Sequence, residues 1–239
     1  MIKSVRIVGA RGRVGSTVST RLAERGVPLD EKNPALVLLC VPDRSIAEVA
    51  GDIPVGPWIA HVSGATPLGS LDPHVRRFSL HPLQSFSKAR GAEQLDGVWG
   101  AVTAESDEAR SIARRLAETL GLRPFDLADD ARGAYHAGAA MASNYLVTLR
   151  AAAGSLLEAA GVPPEALDPL IRGVVDGGFE LTGPIARGDW ETVERHLAVI
   201  RAERPDLAEL YLVLGEATAR LAGREMPRDT VSTAGGGPR

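Results

Sequence analysis

The sequence predicts an α/β fold, with a mostly parallel sheet in the N-terminal half and an all-helical C-terminal domain after it. Three observations predict this. Up to about residue 127, short β-rich runs alternate with helical stretches, the pattern of βαβ units. From about residue 129 to residue 223 the pattern is helical throughout. The first β-rich run ends in a glycine turn that leads straight into a helix.

The β-rich runs cover residues 5–9, 36–41, 58–63, 77–80, 98–104 and 124–127, and helices are expected over 15–25, 45–50 and 107–120. The second half offers helices over 134–160, 164–177, 190–202 and 206–222. Gly161 ends the first of these, and Pro164 and Gly177 bracket the next. The domains are therefore 1–127 and 128–225. Residues 226–239 contain Gly-Gly-Gly-Pro without a periodic apolar face and are expected to form a disordered tail.

Composition narrows the function classes. Lys plus Arg is 27 against 30 Asp plus Glu, a net charge of −3 over 239 residues. That balance argues against a nucleic-acid or membrane-surface binder, which would carry a cationic excess. Hydrophobic residues at 44% and charged residues at 24% are ordinary for globular chains. Arg outnumbers Lys 24 to 3, a bias read as genome composition. The single cysteine, Cys40, excludes an internal disulfide framework and a multi-cysteine zinc site, and no metal-ligand spacing occurs. No apolar run approaches the ~18 residues of a membrane span, and the N-terminus does not read as a signal peptide. A cytoplasmic protein is expected.

The glycine turn is the first chemical signal. Val5-Arg6-Ile7-Val8 is followed by Gly9-Ala10-Arg11-Gly12-Arg13-Val14-Gly15 and then by helix-forming residues. Strand, glycine turn and helix is the context of a dinucleotide fingerprint. The helix N-terminus offers free N–H groups and a positive dipole end to a diphosphate. The spacing departs from G-x-G-x-x-G, since Ala10 occupies the first glycine position and Gly9 stands one place early. A turn that only packs helix against sheet is the other reading.

A dinucleotide fold also carries a second strand with an acidic residue ≈ 20 residues after the glycines, which holds the ribose hydroxyls. Here only residues 27–35 separate the first helix from the next strand, and Pro28 and Pro34 disfavour a regular strand there. Asp30 and Glu31 fall in a connector, so the wall that holds the adenosine half is expected to be absent.

Four strand ends are expected to converge on one carboxyl edge, where open α/β sheets bind ligands. They are the glycine turn, Val41-Pro42-Asp43, Ser63-Gly64 and His81-Pro82. His81 is a candidate proton donor, or else part of a rigid corner bonded to backbone. On the long helix, His136 and Ser143 are seven residues apart on one face, with Asn144 beside them. A substrate cleft and a buried polar network are the two readings. Thr182 and Asp189 are candidate caps, and His196 reads as structural. Ser63 lacks a G-x-S-x-G elbow and Cys40 sits in an apolar strand, so neither reads as a hydrolase nucleophile.

Taken together, several segments resemble a bacterial family. They are the glycine turn, Leu38-Leu39-Cys40-Val41-Pro42-Asp43, Ser63-Gly64-Ala65, Ser79-Leu80-His81-Pro82-Leu83-Gln84, Tyr135-His136-Ala137, Ala142-Ser143-Asn144-Tyr145, Leu181-Thr182-Gly183-Pro184 and Arg187-Gly188-Asp189. The family pairs a Rossmann-like domain with the DUF2520 helical domain, within the 6-phosphogluconate-dehydrogenase-like superfamily. The resemblance covers residues 5–223. It implies a Rossmann-like sheet shortened by the missing strand region, NADP or NAD as cofactor, and an oxidoreductase activity. Apart from the resemblance, Gly138, Ala139, Ala140 and Ala142 allow close helix packing within a chain or between chains, and a homodimer through the helical domain is expected. The layout resembles that of ketopantoate reductases, which makes a small keto acid one candidate substrate. Hydroxyacid dehydrogenases of the superfamily place a lysine four residues before the helix asparagine. Here that position is Ala140, and the only lysines are Lys3, Lys32 and Lys88. The proton-transfer role then falls to His136 or His81.

The resulting expectation is an NAD(P)-dependent oxidoreductase acting on a small carbonyl or imine. Its catalytic residues would be His81, His136 and Asn144. Its cofactor residues would be Gly9 to Gly15, Val41, Pro42, Asp43, Ser63 and Gly64. The alternatives are a non-catalytic protein holding a small anionic metabolite or nucleotide fragment, and a helical dimerisation module.

Overall fold

A computed structural model describes residues 2–227. All but residues 226 and 227 of the expected tail lie outside the described residues. The chain divides into two compact units, 1–143 and 144–239. The division falls inside the helical stretch expected over 134–160, and not before it at residue 127. The reason is that the start of that stretch is bonded to the sheet loops, as shown below.

The first unit is built on six strands, β1 (Val5–Val8), β2 (Leu36–Leu39), β3 (Trp58–His61), β4 (Arg77–Pro82), β5 (Trp99–Thr103) and β6 (Arg123–Asp126), paired in that order. β1 to β4 run parallel, β5 is antiparallel to β4, and β6 is parallel to β5. Helices α1 (Arg13–Glu24), α2 (Ile46–Gly51) and α3 (Asp107–Leu120) cover the sheet. Every residue of β2 and β3 is buried, as expected for strands covered on both faces. Alternation along β2 sorts the core into two layers. Leu36 and Leu38 join Val18 and Leu22 of α1 and Leu116 of α3, whereas Val37 and Leu39 join Ile46 and Ala50 of α2.

α3 follows its sequence signals closely. The Ser106 side chain accepts from the Ala109 N–H at 3.2 Å, and Gly121 closes the helix in a left-handed conformation. β4 runs two residues beyond the expected end, because His81 and Pro82 pair with Ala101 and Gly100 of β5.

The second strand is reduced, not lost. Leu29 forms a one-residue parallel bridge with Val5. Val5 N–H donates to Pro28 O at 2.9 Å and Asp30 N–H donates to Val5 O at 3.0 Å. On the other edge, Leu36 of β2 donates to Ser4 O. Successive residues of a strand present their N–H and C=O groups to opposite edges, so the bridge lies on the far side of β1 from β2. This is the strand position that a Rossmann-like sheet uses for adenosine, and the fold is Rossmann-like with that strand pruned to a stub. Pro28 and the short connector explain the pruning.

The remaining helical elements are α4 (Arg132–Ala140), a π-helical turn (Met141–Tyr145) and α5 (Leu146–Ala159). After them come α6 (Leu167–Asp176), α7 (Pro184–Arg187), α8 (Trp190–Glu203) and α9 (Ala208–Leu221). Asp189 caps α8, accepting from Thr192 N–H at 3.2 Å. Within the second unit Val193, Leu197 and Ile200 of α8 and Ala219 of α9 are buried. Among the described residues no helix is long and apolar enough to cross a membrane.

Candidate functional site

The parallel run of β1 to β4 brings their carboxyl ends to one edge. At the first of them, Gly9 has φ +90°, and a side chain there would collide with the Cys40 carbonyl oxygen. A side chain on Gly15 would collide with Gly9 O. Both glycines are therefore fixed by close backbone approach. Gly12 N–H donates to Gly9 O at 2.9 Å, and Gly12 then serves as the α1 N-cap with no capping side chain and no acidic residue in the first turn. The helix start is left open to an anion.

Two clefts flank this turn. One, of about 400 Å³, runs along Gly9, Ala10 and Gly12 to Glu31, and Arg6 pairs with Glu31 at 3.2 Å. Glu31 therefore stands just past the Leu29 stub, beside the turn. Asp30 and Glu31 lie in a connector, as expected, and Glu31 borders this cleft beside the glycine turn. The other cleft, of about 320 Å³, is bordered by Arg11, Ser16 and Thr20 together with Lys88 and Arg90 of the β4–β5 loop. That loop is rigid. Gln94, 1% exposed, donates to the Ser87, Arg90 and Gly91 carbonyls, and buried Arg21 holds Ala92 O and Asp96.

The β2 and β3 ends are bonded to each other. Ser63 Oγ donates to Asp43 Oδ2 at 2.8 Å and accepts from Thr66 N–H at 2.9 Å. Its hydroxyl is thus committed within the protein. Val41 is half-buried, and Pro42 and Asp43 are exposed. Fully buried His61 accepts the Ser63 N–H on Nδ1 at 3.2 Å, and burial, with the Arg132 charge, pushes its pKa down to about 3. His61 is therefore a neutral brace for the Ser63-Gly64 turn. Cys40 is also inert, since burial pushes its thiol up to about 12.

His81, Tyr135 and His136 meet over Gly64. His81 Nδ1 is 2.7 Å from Tyr135 Oη, with the rings edge-on. His136 stands 6.4 Å from His81, centroid to centroid. A side chain on Gly64 would lie 2.9 Å from His81 and 3.0 Å from His136, so only glycine leaves room for both rings. His81 is bonded to a phenol, not to backbone as the rigid-corner reading has it. Desolvation, with the His136 and Arg132 charges, pushes His81 down to about 4, and burial pushes Tyr135 up to about 12. At neutral pH the pair is uncharged.

Arg132 anchors this cluster. Only 2% exposed, it bonds Asp129 at 2.7 Å and Ser63 O at 3.1 Å, and its Nη2 has no partner. Asp129 in turn accepts from Leu68 N–H. These bonds tie the start of α4 to the β3–β4 loop. Sequence reasoning missed Tyr135, Arg132 and His61 as site residues. The Asp129-x-x-Arg132 spacing ahead of Tyr135-His136 was the available signal.

The other expected site residues are placed differently. Ser143 donates to Ala139 O at 2.8 Å and lies in the π-helical turn. That turn widens the spiral, so a spacing of seven residues no longer means one shared face with His136. Asn144 belongs to the second unit; its side chain is exposed and its carbonyl accepts from Thr148 Oγ1. His196 bonds Tyr211 Oη at 2.8 Å within the second unit, a structural pair as expected. Among the described residues, no group of three or more His, Cys, Asp or Glu is placed to hold a metal ion.

Sheet, open glycine turn and strand-end histidine cluster define a Rossmann-like α/β protein with a helical unit after the sheet. DUF2520, a domain of unknown function, matches residues 98–218, and the chain belongs to the DUF2520 family. No curated protein matches the sequence. Among solved structures, it is similar to a candidate NADP oxidoreductase from Bacteroides fragilis, with TM-score 0.78 and 22% identity over 91% of this chain and 98% of that one. A Thermotoga maritima protein gives TM-score 0.74 and 25% identity over 92% and 98%. A semialdehyde dehydrogenase NAD-binding protein from Cupriavidus necator, solved with calcium and NAD, gives TM-score 0.59 and 18% identity over 88% and 99%.

Proposed function

We propose that the protein is an NAD(P)-dependent oxidoreductase that reduces a small carbonyl or imine. The observation that carries this reading is the juxtaposition of two features on one sheet edge. One is a glycine turn whose helix start is uncapped and free of acid. The other is an uncharged His81–Tyr135 pair at the end of β4. The oxidoreductases among similar structures support the same class.

The residues fit a dinucleotide. The α1 N-terminus would take the diphosphate, and Arg11, Lys88 and Arg90 place positive charge beside it. Glu31 would accept the adenosine ribose hydroxyls, and Arg6 and Arg11, which border the same cleft, would meet a 2′-phosphate, so the cleft suits NAD(H) or NADP(H). Val41, Pro42, Asp43 and the Ser63-Gly64 turn would border the nicotinamide half. When bound, a reduced nicotinamide supplies hydride, and the protein supplies orientation and the proton. His81 holds that proton, and His136 borders the same space over Gly64. A small keto acid is the first candidate substrate.

The test is NADH oxidation in a panel of keto acids, aldehydes and cyclic imines. Turnover with one class, lowered ~100-fold or more in His81→Ala with dinucleotide affinity kept, is the expected result. Turnover unchanged in both His81→Ala and His136→Ala removes the proton-donor assignments.

A further inference from the structure

Tyr135 and His81 are distant in the chain, yet their polar atoms meet at 2.7 Å. A phenolic O–H is a stronger donor than an imidazole N–H, and an imidazole lone pair is a better acceptor than a phenol oxygen. Tyr135 therefore donates to Nδ1. A neutral imidazole has one N–H, so this bond fixes the ring proton on Nε2. Among the described residues, Nε2 has no protein partner, and it is not among the buried polar atoms left unsatisfied. It is the ring atom free to meet a ligand.

We propose that Tyr135 is the positioning residue for His81 and the proton source behind it. This rests on reading His81 as the donor in a reductive reaction. A bound reduced nicotinamide would supply hydride to the carbonyl or imine carbon, and negative charge would develop on oxygen or nitrogen as the π bond breaks. That atom takes the Nε2 proton while Nδ1 takes the phenolic proton of Tyr135. His81 stays neutral throughout, with its proton moved from Nε2 to Nδ1, and Tyr135 is left as phenolate. As solvent protonates Nε2, the Nδ1 proton returns to Tyr135 in the same step.

Three features of the site suit this relay. An imidazolium at His81 is disfavoured by burial and by the neighbouring His136 and Arg132, and the relay never forms one. Burial pushes the Tyr135 phenol up to about 12, and Arg132, buried and with Nη2 unpartnered, supplies a counter-charge that offsets part of that cost. Gly64 gives the ring its place, because any larger residue would displace it.

Nitrogen-15 NMR of the histidine side chains tests this without any turnover. In the wild-type protein His81 is expected as the Nε2-protonated neutral ring. In Tyr135→Phe the same ring should shift toward a mixture of tautomers, with NADH affinity kept within about twofold. Tyr211→Phe breaks the equivalent His196 bond in the second unit and should leave the His81 signal unchanged. Once a substrate is in hand, Tyr135→Phe should lower kcat by roughly 100-fold with little change in KM. An Nδ1-protonated His81 in the wild type overturns the proposal, even if Tyr135→Phe does not fold. So does a His81 tautomer that Tyr135→Phe leaves untouched. Failure of the wild type to bind any dinucleotide strikes instead at the functional reading, and the relay falls with it while the tautomer stands on the spectra.

Discussion

Leu29 pairs with Val5 on the outer edge of the sheet, and this single bridge sets Glu31 beside the glycine turn. It places a carboxylate just past the strand position next to β1, the position from which we propose that the adenosine ribose is held.

That geometry predicts the behaviour of Glu31. Glu31→Ala should weaken NADH about tenfold, on the order of 1.4 kcal/mol, and should weaken NADPH less. Calorimetric titration of both dinucleotides against both proteins measures this. Equal losses for the two, or no loss for either, would remove Glu31 from the site.

Gly12 and Gly15 should respond differently to substitution. Gly15→Ala forces its Cβ against Gly9 O and should destabilise the protein by about 1–3 kcal/mol, as overpacking does. Gly12→Val is milder for the fold, since a Cβ there lies 3.2 Å from Gly9 O, and the poorer cap costs about 1 kcal/mol. Its side chain would nevertheless stand at the helix start, where the diphosphate belongs. Folded Gly12→Val protein should show no NADH binding, and normal binding would refute the phosphate role of the turn.

Stability should fall on mild acidification. His61 and His81 titrate at about 3 and about 4 in the folded protein, against an ordinary value of 6.5. As pH falls, the unfolded chain therefore takes up protons first. Their contribution is whole above about pH 6.5 and is lost progressively toward pH 4 and below, each unit of depression being worth about 1.4 kcal/mol. The Tm at pH 5 should lie roughly 10 °C below that at pH 7.5, and His61→Asn should flatten the drop. A Tm that rose on acidification would mean that these rings are not held neutral.

The second unit leaves much apolar surface uncovered, including Val147, Leu170 and Phe179 at 69%, 64% and 71% exposure. A helix apolar on most sides is ordinarily a buried one. A second copy of the chain is the expected cover, and light scattering should give twice the chain mass at micromolar concentration. A monomer under those conditions would contradict it.

Much of the fold was legible in the sequence. All six strands lie within a residue or two of the β-rich runs, and α3 spans the expected 107–120. The glycine turn was legible because strand, turn and helix are contiguous in the chain. The Leu29 stub was not, because one bridged residue beside Pro28 has no periodicity to read. The His81–Tyr135 bond joins residues 54 positions apart, and only the folded sheet edge brings them together. Arg132 is one arginine among 24, with nothing local in the sequence to mark it as buried. Its burial depends on Asp129 and the Ser63 carbonyl, which come from separate elements.

The most direct test of dinucleotide binding at the glycine turn is thermal denaturation of the full chain with NADH, NADPH and their oxidised forms. A ligand at ~100 times its Kd adds ~2.7 kcal/mol, a rise of roughly 5–11 °C for a chain of this size. The account predicts such a shift with NADH or NADPH, and none in Gly12→Val. No shift with any dinucleotide at millimolar concentration would contradict it and would point to a protein that holds a smaller anion.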